Sequence, residues 1–141
     1  MNMSDVVDIA VSGLRAQRTR MTVTASNIAN AQTTRTAEGG PYRRRDPVFE
    51  AERVGSPFAS ALQGKLRAVS VSRIQADQRD FVTRYLPSHP DANEDGYVEF
   101  PNVNLVEEQA NLVGASRGFE ANLLVMQKVR SMAEALMRVG Q

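Results

Sequence analysis

The stretch Asn104–Val139, NLVEEQANLVGASRGFEANLLVMQKVRSMAEALMRV, decides the fold. Leu112, Phe119, Met126 and Ala133 recur at a seven-residue spacing, and Leu123 and Met137 fall in the intervening four-then-three steps. A second row, Val125, Val129, Met132, Leu136 and Val139, runs four-three-four-three beside the first. Apolar residues so spaced share one side of an α-helix. In the second half of the stretch the two rows merge into an apolar arc wider than about 100°. At roughly 1.5 Å per residue the predicted helix is about 50 Å long, too long for a compact domain of this size. It needs helical partners on more than one side.

Working outward, the best partner is the N-terminal stretch. Val7, Val11, Leu14, Arg18, Met21, Ala25 and Ile28 form a four-three heptad row with one polar intrusion, at Arg18. Ser4 is placed to cap this helix, with Asp5 and Asp8 near the positive end of its dipole. Thr22, Val23 and Thr24 weaken helix propensity towards its end. Alone the segment is marginal in water, because helix nucleation is costly and the row is narrow. The predicted architecture is therefore mainly α with a small β insertion. Residues 1–31 and 104–141 are two long helices paired as a coiled coil, and residues 32–103 are a β-rich middle segment.

That middle segment changes character at Thr33, where Thr34, Thr36, Gly39, Gly40 and Pro41 supply loop chemistry. Tyr42–Glu52 reads as a strand that Pro47 confines to an edge or a bulge. Val54–Gly64 reads as loop or a short helical turn, and Leu66–Ile74 as the clearest strand. Phe81–Leu86 and Tyr97–Phe100 are shorter strand candidates, separated by the break Pro87-Ser88-His89-Pro90.

Composition narrows the function. Hydrophobic residues make up 42% of the chain but aromatics only 6%, with no Trp, which suits helix–helix packing better than an aromatic-lined ligand pocket. A net charge of +1 favours neither a polyanion nor an acidic substrate. The absence of Cys removes disulfides and thiol chemistry, and with a single His, His89, the composition argues against a zinc site. No apolar run reaches the length of a membrane span. Asp5, Asp8 and Arg15 break up what a cleavable secretory signal would require.

Three features carry candidate chemistry. Asp91, Asn93, Asp95 and Gly96 match the first half of a calcium loop, but Asn102 stands where the closing Glu belongs, so the residues read as a tight turn. Arg43, Arg44 and Arg45, with Arg15, Arg18 and Arg20, could contact phosphates. They are balanced by 16 acidic residues and lack interleaved aromatics, which favours solvated faces and ion pairs between subunits. A calcium-dependent adaptor and a basic nucleic-acid-binding helical protein are thus the alternatives to a structural role. Gly13, Gly114 and Gly118 lie inside predicted helices, where each costs about 1 kcal/mol relative to Ala. Close approach of a neighbouring helix is the preferred explanation over a kink. No nucleophile–base constellation points to an enzyme.

The run Asp8 to Gln17, followed by Ala25-Ser26-Asn27-Ile28-Ala29-Asn30-Ala31, resembles the signature of the flagellar rod and hook proteins. Gly40-Pro41-Tyr42-Arg43, Asp95-Gly96-Tyr97-Val98 leading to Pro101-Asn102-Val103-Asn104, and Ala115 to Asn122 narrow the resemblance to the proximal rod. The family motif is Ser26, Asn27, Ile28, Ala29 and Asn30. The resemblance implies a structural subunit of the basal-body rod that transmits torque from motor to hook, with no catalytic residue, cofactor or metal. It implies helical assembly with copies of itself and other rod proteins in the periplasmic space. It also implies passage through the flagellar type III export apparatus without a cleaved signal peptide. Neither nucleic acid nor a membrane span is expected.

In such exported proteins an aromatic residue followed four positions later by an apolar one can act as an export signal, a form that Phe58 and Leu62 have. The predicted interface comprises Val7, Val11, Leu14, Met21 and Ile28 against Leu112, Phe119, Leu123 and Met126. Val129, Met132 and Leu136 belong to the row offered to neighbours.

Overall fold

The computed structural model describes residues 3–53 and 66–139. Helix α1 spans Met3–Ala29 and helix α2 spans Leu105–Val139; between them lie β1 (Arg45–Arg53), β2 (Arg67–Ala76), β3 (Val82–Tyr85) and β4 (Tyr97–Phe100). The strands form two antiparallel hairpin ribbons, β1 with β2 and β3 with β4. The mainly α architecture with a small β middle is as expected. Val54–Gly64 and the Phe58/Leu62 pair lie outside the described residues.

Local chemistry accounts for the boundaries. Asn104 caps α2, its Oδ1 accepting from the Val106 amide at 3.0 Å and the Glu107 amide at 3.4 Å. Helix α1 already includes Met3, so Ser4 sits within its first turn rather than capping it. Pro47 is accommodated in β1 because each strand of a two-stranded ribbon keeps an unpaired edge. The register slips beside Val48 and Phe49, leaving Ser72 of β2 without an opposite residue. Gly96 adopts φ +80°, and a Cβ there would fall 2.9 Å from Tyr85 Cε2. That turn therefore excludes a side chain on both conformational and steric grounds.

The helices run antiparallel. Asn27 meets Glu108, Gln17 meets Gly118, and Gly13 meets Asn122, so each step along α1 is matched by an equal step back along α2. The approach is close where the glycines sit. A Cβ on Gly13 would lie 2.8 Å from Asn122 Nδ2, and one on Gly118 would lie 3.0 Å from Gln17 Cδ. Gly114 differs: among the described residues, nothing outside its own helix backbone lies within 4 Å of its would-be Cβ.

A second face of α1 carries the β1–β2 ribbon. Ser12 Oγ accepts from the Val69 amide at 3.1 Å, and the Arg20 guanidinium lies 4.7 Å from the Phe49 ring centre. The apolar core between these layers is thin. Among the described residues, its buried apolar side chains are Ala10, Ala16, Val23 and Ala115, with Tyr42 and Val98 buried outside the helices.

Candidate functional site

Two features stand out, one polar and buried, the other apolar and exposed. The buried one is built around Asn27, in the last turns of α1. Its Nδ2 donates to the Arg45 carbonyl at 2.8 Å and to Glu108 Oε2 at 3.0 Å. Its Oδ1 accepts from the Arg45 amide at 3.0 Å and the Tyr42 hydroxyl at 2.9 Å. Both donors and both lone pairs of the amide are used, as complete burial demands. The other oxygen of Glu108 accepts from Arg44 Nε at 2.8 Å.

The cluster continues outward through Arg44. Its Nη1 lies 3.5 Å from Asp77, which in turn holds Arg79 at 2.7 Å. Asn102 takes the Arg44 amide on its Oδ1 and gives its own amide to the Arg79 carbonyl. One polar hub thus ties the end of α1, the entry to β1, the β2–β3 connection and the start of α2. Burial alone would lower the basicity of Arg44, but the hydrogen bond and charge of Glu108 outweigh it and raise its pKa. The Asp77 carboxyl is held below the usual carboxylate range by its hydrogen bond from Arg79.

The hub corrects the reading of the arginine run. Arg44 is buried and paired within the chain. Arg43 donates to the carbonyls of Asp77 and Arg79, with its guanidinium 4.2 Å from the Phe81 ring centre. The calcium-like loop is a turn. Asn93 Oδ1 accepts from the amides of Asp95 and Tyr97, while Asp91 accepts from Thr34 and pairs with Arg35.

The exposed feature is α2 itself. Leu112, Phe119, Met126 and Val129 are half-buried on the side facing α1. Leu123, Val125, Met132 and Leu136 are 42%, 44%, 59% and 64% exposed. The sequence reading passed over Val106, Val113 and Leu124, which are also exposed. On α1, Val7, Val11, Leu14, Met21 and Ile28 are half-buried. Helical periodicity sets most of that row on the opposite side of α1 from Ser12, Ala16 and Val23, away from the ribbon. The matched register brings Met3 level with Met132, so the last turns of α2 extend past the first described turn of α1.

Two family models match this chain, one described as flagella basal body rod protein over residues 8–35 and one as flagellar basal body rod FlgEFG protein C-terminal over residues 94–139. Full-length relatives agree. The flagellar basal-body rod protein FlgC of Borreliella burgdorferi is 39% identical, covering 100% of this chain and 99% of its own. Those of Bacillus subtilis and Salmonella typhimurium are 36% and 37% identical, covering 96% and 100% of both chains. The chain belongs to the FlgC family of flagellar basal-body rod proteins. It is a structural protein rather than an enzyme.

Within this FlgC-family chain the two matched segments are those the hub joins, Asn27 coming from one and Glu108 from the other. The motif Ser26 to Asn30 acquires a physical meaning. Asn27 is the centre of the hub, and Asn30 closes the helix end by donating to the Ser26 carbonyl and accepting from Thr33. Sequence reasoning named the motif but missed Tyr42 and Glu108 as its partners, and Arg44, Asp77 and Asn102 as the rest of the hub. The available signal was Glu108, which precedes Leu112 by four residues on the inward side of α2.

Proposed function

We propose that the chain is a subunit of the proximal rod that stacks helically with copies of itself and other rod proteins, transmitting torque from motor to hook. The observation that carries this reading is the row Val125, Met132 and Leu136. It is exposed on a helix whose last turns extend past the first described turn of α1. Soluble chains rarely leave such a continuous apolar face to water unless another molecule covers it. In the assembly the helix pair winds as a coiled coil. Val7, Val11, Leu14, Met21 and Ile28 flank Leu112, Phe119, Leu123 and Met126, and the row from Val125 to Leu136, with Val129 at its inner margin, meets neighbouring subunits. Contacts of this head-to-tail kind give open helical stacks when the rotation does not close.

On this reading the subunit lies in the periplasmic space, reached through the flagellar type III apparatus without a cleaved signal. Phe58 and Leu62 are the candidate signal for that apparatus. The deciding experiment introduces Met132→Asp together with Leu136→Asp and measures incorporation into isolated basal bodies. Both side chains are exposed in the single chain, so its fold should survive while incorporation is abolished. Normal assembly of the double variant would reject the interface.

A further inference from the structure

We propose that the Asn27–Glu108–Arg44 cluster is a register lock, selecting one antiparallel alignment of the two helices from several that their apolar patterns allow. The inward side of α2 repeats Leu112, Phe119, Met126 and Ala133 at intervals of seven, and α1 carries its own heptad row from Val7 to Ile28. Sliding one helix by seven residues therefore restores the apolar flank of the pair, the α1 row beside the α2 row, although the face of α1 closest to α2 is Gly13, Gln17 and Asn27. Apolar contact is non-directional and gives little discrimination between such alignments.

The middle of the pair is matched by close steric approach at Gly13 and Gly118, not by polar pairing between the helices. Gln17 Oε1 is buried without a hydrogen-bond partner, and Asn122 Nδ2 donates back into its own helix, to the Gly118 carbonyl. The hub is the opposite case. Asn27 has both donors and both lone pairs filled, and one of those bonds crosses to Glu108, which is itself 1% exposed. Glu108 meets the Arg44 guanidinium with its second oxygen at 2.8 Å. A shift of seven residues, about 10 Å along the axis, would carry the Glu108 carboxylate away from both Asn27 and Arg44 and take from Arg44 its nearest carboxylate. Unpaired buried charge is among the largest penalties a fold can incur. A polar side chain within a helix seam that fixes alignment at some expense of stability is the best-attested use of such groups.

The chain has no Cys, so two introduced thiols are unique labelling sites. Thr22 and Glu120 are exposed, and nitroxide labels on Thr22→Cys and Glu120→Cys sit about seven residues apart along the pair in the observed alignment. Pulsed dipolar spectroscopy on the full chain should give one distance population. Replacing the hub by apolar residues of similar bulk, Asn27→Leu, Glu108→Leu and Arg44→Met, should keep the helical circular dichroism yet add a second population shifted by several ångströms. A single unshifted population in that triple variant would overturn the proposal and assign the register to the close approaches at Gly13 and Gly118. Should the triple variant lose its helical signal, Glu108→Gln serves instead. It keeps the side-chain shape and removes the charge, a second population is again expected, and one unshifted distance would again overturn the lock. The readout is the alignment within one chain, so it is independent of whether the exposed row of α2 binds neighbouring subunits.

Discussion

At the scale of single residues, three glycines of the same type do different work. A Cβ on Gly13 would press into Asn122, whereas one on Gly114 meets open space. Gly114→Ala should therefore stabilise the isolated chain by about 0.5–1 kcal/mol, by lowering unfolded-state entropy and raising helix propensity. Gly13→Ala should destabilise it despite the same propensity gain. Urea titrations of the two variants should move their midpoints in opposite directions. The sequence showed that all three glycines were out of place in a helix, but nothing in the spacing separated the open one from the two crowded ones. That distinction comes from which helix faces meet.

Asp77 yields a second prediction at this scale. Its carboxyl is depressed by the Arg79 hydrogen bond. A depressed carboxylate contributes stability that is fully present above its unfolded value, about 4, and is lost as pH falls through the folded one. Stability should thus decline below about pH 4, and Asp77→Asn should flatten that acid limb while costing stability at neutral pH. Equal acid sensitivity in the two proteins would place the effect on other carboxylates.

At the scale of elements, both long helices were legible because periodicity survives any tertiary context. The strands were legible because their breakers, Gly96 and the two prolines around His89, are local. The face of α1 that packs most closely was harder to read. A search for large apolar residues selects Val7, Leu14 and Met21, yet α1 approaches α2 through Gly13, Gln17 and Asn27, and its fully buried positions include Ala10, Ala16 and Thr24. Close approach favours small and polar side chains, which a hydrophobic pattern leaves out. The hub was hard to read for a related reason: Asn27, Arg44 and Glu108 are far apart in sequence, and only Glu108, four residues before Leu112, carried a sign of burial.

The pair is consequently fastened at one end. The hub holds the start of α2, while Met132 and Leu136 lie exposed near its end. In dilute solution, amides beyond Met126 should exchange with deuterium at least about tenfold faster than those between Glu108 and Phe119, since local opening follows contact density. Uniform protection along α2 would show that the helix needs no fastening.

At the scale of the whole molecule, a thin core and a long helix face without a partner among the described residues belong together. A chain with so few fully buried apolar side chains draws only modest stability from its own packing, and surface covered in an assembly adds to that by mass action. The junction between these two sources of stability is the second half of α2, where Lys128, Arg130 and Arg138 are exposed. Trypsin cleaves helices through local opening, so these sites report whether that half is held by its own chain or by others. In the isolated protein they should be cut well before Arg44, which is buried in the hub. In purified rods the order should change, with Lys128 and Arg130 becoming resistant because neighbouring subunits cover the row that includes Met132 and Leu136. Mass spectrometry of early digests distinguishes the outcomes. If the three α2 sites were equally labile in rods and in free subunits, the face that most distinguishes this chain from a self-contained domain would not be the surface through which it assembles.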